Sequence, residues 1–86
     1  ALFGLRKIVA SDRWNTTARH ILAKALIATG RLNEAIKQIE AGIKVDPKNQ
    51  LLIQEYANIG RILRQDAQNE TAALVEERVR RLLGRP

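Results

Sequence analysis

Residues 16–49 read TTARHILAKALIATGRLNEAIKQIEAGIKVDPKN, and this stretch decides the fold. From Thr17 to Thr29, apolar positions fall at Ile21, Leu22, Ala25, Leu26 and Thr29, with Ala18 a turn earlier. Steps of three and four are the period of a helix with one buried stripe. Gly30 stops the helix, because a glycine after the last periodic residue takes the left-handed conformation at little cost. The pattern then places Asn33 as the N-cap of a second helix, with Glu34 favouring the positive end of its dipole. Ala35, Ile36, Ile39 and Ile43 continue the apolar stripe. Asp46-Pro47 ends it, since proline disfavours helical geometry in the residue before it and cannot donate a backbone hydrogen bond. Two helices of about a dozen residues joined by about four make a helical hairpin.

The residues of this hairpin resemble the tetratricopeptide repeat. Arg19, Leu22, Ala23 and Leu26 on the first helix, Ala35 and Ile39 on the second, and Pro47 after it stand at that family's spacing. Two positions depart from the pattern: Arg19 stands where the family carries an aromatic residue, and Ile39 where it carries an aromatic or other large one. Taken alone, the stretch also fits an ordinary helical hairpin. The resemblance implies an all-α, right-handed helical solenoid of about five antiparallel helices, whose task is to hold another protein.

Sliding the sequence against itself by 34 residues extends the pattern in both directions. Ala1 meets Ala35, Leu5 meets Ile39, Val9 meets Ile43, Asp12 meets Asp46 and Asn15 meets Asn49. Residues 1–11 therefore read as the second helix of a preceding repeat, and the chain as a piece of a longer array. Forward of the central repeat, Leu22 meets Tyr56 and Ala23 meets Ala57, with Asn49 as N-cap and Leu52, Ile53, Tyr56, Ile59 and Leu63 facing inward. Gly60 inside this helix implies close approach by a neighbour. The register then slips: Asn33-Glu34 corresponds to Asn69-Glu70, an offset of 36, and the connector Gln65 to Gln68 is accordingly longer and lacks a glycine. Thr71, Leu74, Val75, Val79 and Leu82 form the last stripe. Residues 50–86 thus read as a divergent terminal repeat, giving half a repeat, one good repeat and one divergent repeat in a single domain over 1–86.

Composition supports this and excludes several functions. The 86 residues are 45% hydrophobic but only 3% aromatic, so the core must be built from Leu, Ile, Val and Ala. With no cysteine there is neither a disulfide nor a thiolate metal site. No stretch approaches the roughly twenty apolar residues of a membrane helix, and Arg6 and Lys7 interrupt any signal-peptide core. The net charge of +6 favours acidic partners, although the charges are scattered over what reads as a solvated surface.

Chemistry leaves no trace. His20 is the single histidine and the five glycines are isolated, so neither a catalytic or metal set nor a phosphate loop can be assembled. No cofactor is expected, and the chain does not read as an enzyme. In tetratricopeptide proteins the first helices of successive repeats line a groove for a peptide or protein segment. The resemblance carries that role to Thr17, His20, Lys24, Ile27 and Ala28 on one helix, and to Leu51, Gln54, Asn58, Arg61 and Ile62 on the next. The Lys/Asn/Arg spacing by which some members clamp a carboxyl-terminal carboxylate is not reproduced. Two other readings compete. Arg78, Arg81 and Arg85 share a face of the last helix and could bind nucleic-acid phosphates, though three aromatics offer little for base stacking. Alternatively the segment is purely structural, with Leu2, Phe3 and Leu5 as an exposed apolar strip for self-association into a homo-oligomer. Trp14 reads as a local clamp on the following helix, with a binding anchor as the alternative.

Overall fold

The computed structural model describes residues 2–12 and 15–84, with side chains placed from Gly4 onward. These residues form five α-helices and no strand: α1 (Leu2–Ser11), α2 (Thr16–Ala28), α3 (Leu32–Val45), α4 (Gln50–Gln65) and α5 (Asn69–Leu82). Caps repeat at the 34-residue spacing. The Asn15 side chain accepts from the Ala18 amide at 2.9 Å, and Asn49 accepts from Leu51 and Leu52 at 3.0 and 3.2 Å. Each supplies an acceptor for amides that have no partner within the first turn.

The α2–α3 and α4–α5 turns are the same turn. After α2, the Gly30 amide donates to Ile27 at 3.1 Å and Arg31 donates to Leu26 at 2.8 Å. After α4, Ala67 donates to Arg64 at 3.1 Å and Gln68 to Leu63 at 2.9 Å. Both are the paired closure in which one residue turns left-handed. Gly30 does so at φ 77° and Ala67 at φ 59°. The offset between the turns is therefore 37, not 36, and the second connector is no longer than the first. The extra length lies inside α4, which has 16 residues against 13 in α2. Asn33 is likewise not a cap: α3 already begins at Leu32, with Arg31 at the cap position and no side-chain bond there. The tight turn returns the chain to helix at once and lets Leu32 pack on the core. Alanine in the left-handed region is strained where glycine is not. Ala67→Gly is thus expected to raise stability by about 1 kcal/mol. A urea midpoint that fails to rise would show the turn already relaxed.

Leu22, Leu26, Ile39, Ile43, Leu52 and Ile59 are the largest fully buried side chains. On α2 the buried set is Ala18, Arg19, Leu22, Ala23 and Leu26, which contains every first-helix position of the repeat pattern. Ile21 lies off that set and is 46% exposed; on α5, Leu74 is 70% exposed while Ala72, Val75 and Val79 are buried. The apolar periodicity had placed both Ile21 and Leu74 inside. Arg19 fills the aromatic position by lying flat. Its Cδ passes 3.5 Å from where a Cβ on Gly42 would stand, and Nη1 donates to Gln38 Oε1 at 2.8 Å. The stem thus packs as hydrocarbon while the head reaches a polar partner.

The Cα envelope measures 35 × 27 × 14 Å. The thin dimension fits two helix layers, since each contributes a Cα radius of about 2.3 Å and axes sit about 9 Å apart. α2 and α4 touch within one layer, and each packs closely on its hairpin partner, α3 or α5. The other layer, α1, α3 and α5, is joined by polar bridges. Arg6 on α1 grips Glu34 on α3 through two bonds of 2.8 Å. Glu40 on α3 receives Arg78 of α5 at 3.1 Å and the Tyr56 hydroxyl of α4 at 2.8 Å. Burial works to raise the Glu40 carboxyl, but the bonds from Arg78 and Tyr56 outweigh it and hold it below the usual carboxylate range. Burial first, then the bond to Glu40, pushes the Tyr56 phenol well above its ordinary value. The depressed Glu40 contributes stability that is present above the ordinary carboxylate pKa of about 4 and lost as pH falls below it. Glu40→Gln is expected to cost about 1 kcal/mol at neutral pH and to flatten the acid limb of the stability profile. An unchanged acid limb would remove Glu40 from the account.

Candidate functional site

α2 and α4 lie side by side because the helices that follow each of them, α3 and α5, occupy the opposite layer. Asn15 and Asn49 start them in register, so the first turns of both helices present equivalent positions. Of the residues expected on this face, Thr17, Lys24, Ala28, Leu51, Gln54 and Arg61 are exposed. His20, Ile27, Asn58 and Ile62 are half-buried, and Ile27 belongs more to the core than to the surface because it packs against the buried cluster.

The floor between the helices is polar. His20 Nε2 stands 3.5 Å from Glu55 Oε1, with side chains only 15% and 18% exposed. Arg61 donates to Asn58 Oδ1 along its own helix. Two side chains escaped the sequence reading: Glu55, which meets His20 between the helices, and Ile21, which is 46% exposed. The signal that pairs them was present, since Ile21 and Glu55 are 34 residues apart, one turn beyond Thr17 and Leu51. Assigning Ile21 to the core on periodicity hid it.

The basic face of the last helix is largely neutralised. Arg78 is bound to Glu40, and Arg81 to Glu77 at 2.9 Å. Glu76, which the spacing pairs with Arg80, instead takes Arg64 of α4 at 2.7 Å, and that bond holds its carboxyl below the usual range. Arg85 lies outside the described residues, as do Trp14 and the side chains of Leu2 and Phe3. Leu5 is half-buried against the core, not open on the surface; among the described side chains of α1, the exposed large apolar one is Ile8, at 45%. Among the described residues, no helix is long and apolar enough to cross a membrane.

A family model described as tetratricopeptide repeat matches residues 1–55. The match covers α1, α2 and α3 and ends inside α4. No curated protein and no solved structure matches the chain.

Proposed function

The chain belongs to the tetratricopeptide repeat family, and from that premise we propose that the face formed by α2 and α4 receives a segment of another protein. Members of the family are in general protein–protein interaction modules rather than catalysts. In the same reading α1 is the second helix of one repeat, residues 16–49 are a complete repeat, and residues 50–86 a divergent one. The observation that carries the proposal is the composition of this face. Six of its ten assigned positions are exposed, among them the apolar Leu51 and the polar Lys24, Gln54 and Arg61. A surface with apolar contact area and a few donors on two anchored helices loses little entropy on binding.

Chemical-shift mapping of the backbone amides tests the assignment, with peptides selected from a random displayed library as probes. Perturbations centred on Thr17 to Ala28 and Leu51 to Ile62 are expected. Perturbations centred on α5 or α1 would overturn it.

A further inference from the structure

Leu74 is the most exposed large apolar side chain among the described residues, at 70%. It stands on α5, turned away from the buried Ala72, Val75 and Val79. Glu70, Leu74, Glu77 and Arg81 follow one another at steps of four, three and four, and all four are exposed. That spacing puts them in one stripe along the helix. Leu74, Glu77, Arg78 and Arg81 line a hollow of about 160 Å³. Apolar space of about 150 Å³ takes a benzene-sized group, so the hollow has room for one aliphatic side chain. Its arginines are hydrocarbon up to the guanidinium and can line such a contact.

The charges along the stripe are ordered. Glu70 stands at one end, and among the described residues it has no ion pair. Arg81 stands at the other end, about 17 Å along the axis by the helical rise. It holds Glu77 through one nitrogen at 2.9 Å. A guanidinium has five donors, so Arg81 keeps several for a second carboxylate. A stripe that is acidic at one end and basic at the other, with leucine between, complements its own reverse.

We propose that α5 pairs antiparallel with α5 of a second copy of this chain, forming a two-fold dimer. An axis crossing the helix midway between Leu74 and Glu77 sets Glu70 opposite Arg81 of the second copy. It does so twice, as a contact between identical patches requires. The same operation brings each Leu74 level with Glu77 of the second copy, over the hollow, with the two leucines about 5 Å apart along the axis. Glu77 is already held by Arg81, so its carboxylate is not enclosed without a partner. A contact along one helix buries less than the roughly 1,200 Å² of a standing interface, and exposed ion pairs add little, so the dimer is weak and forms as concentration rises. The α2–α4 face belongs to the other layer and stays open in both copies.

Sedimentation equilibrium from about 0.05 to 2 mM tests the pairing, and the wild type is expected to dimerise with a dissociation constant of roughly 0.1–1 mM. Glu70→Arg sets arginine against arginine across the axis, and Arg81→Glu sets glutamate against glutamate. Each variant alone is expected to dimerise about tenfold more weakly or worse. Mixed in equal amounts, the two variants place arginine opposite glutamate at both ends, and the mixture is expected to associate within about threefold of the wild type. Leu74→Ser is expected to weaken the wild-type dimer by about fivefold or more. All three positions are at the surface, and thermal melts confirm that the variants fold. A wild type that stays monomeric throughout overturns the proposal. So do single variants, or Leu74→Ser, that associate as the wild type does, because another surface then carries the contact. A mixture that fails to recover overturns the antiparallel pairing.

Discussion

Replacing Ile39 by alanine is expected to lower stability by about 2–5 kcal/mol, the range for truncating a fully buried aliphatic side chain. Ile39 is 0% exposed on α3, the helix that packs against both α2 and α4. The truncation would open a cavity within the buried cluster. Small domains have about 5–15 kcal/mol in total, so this one change removes a large share. Urea unfolding should show a lower midpoint with an unchanged slope. A midpoint within error of the wild type would contradict the central position given to Ile39.

Gly42→Ala is expected to cost about 1–3 kcal/mol through overpacking, although alanine gains about 1 kcal/mol over glycine in helix propensity. A Cβ at Gly42 would stand 2.7 Å from Cδ1 of Leu52, closer than carbon atoms approach. Leu52 is itself 0% exposed, so any shift of its side chain must be absorbed by the core around it. Gly60 is the control. Its Cβ would meet Val75 Cγ1 at 3.3 Å and Glu76 Cγ at 3.4 Å, and the half-exposed Glu76 can yield. Gly60→Ala should fall within about 1 kcal/mol of the wild type, because propensity and crowding nearly offset. If Gly42→Ala proves the more stable protein, the α3–α4 crossing is looser than 2.7 Å implies.

Turn chemistry was the most legible part of the sequence. Asn15, Asn49 and Gly30 act locally, through their own side chain or their own φ, so their roles survive whatever the rest of the chain does. Asn33 misled for the same reason: an asparagine near a helix start looks like a cap, but the closure at Gly30 and Arg31 had already returned the chain to helix. The register of the last hairpin was misread by one residue because Ala67 performs a glycine's task without being glycine. Only backbone hydrogen bonds reveal that.

Periodicity identified the α4 core in full, Leu52 through Leu63, yet overreached at Ile21 and Leu74. A stripe of apolar residues does not say where the neighbouring helix ends. The family pattern, which records pairs of helices, selected the buried residues of α2 correctly, Arg19 included. The face between α2 and α4 was legible as far as position goes. The His20–Glu55 contact was not, since it depends on how closely two non-consecutive helices approach.

The polar bridges are not shared evenly between the two layers. Arg6 to Glu34 and Arg78 to Glu40 run from helix to helix along the α1, α3, α5 side, each through more than one bond. Between α2 and α4, His20 and Glu55 meet at 3.5 Å. In mechanical terms this is a plate with braces on one face. Bending that stretches the braced side strains two bidentate links, whereas bending that splays α2 from α4 strains the His20–Glu55 contact and the direct packing of those two helices. The braces are partly exposed charge pairs, so added salt lowers their stiffness before it touches the apolar core. Salt therefore loosens the α1, α3, α5 side first and leaves α2 and α4 held by their direct packing.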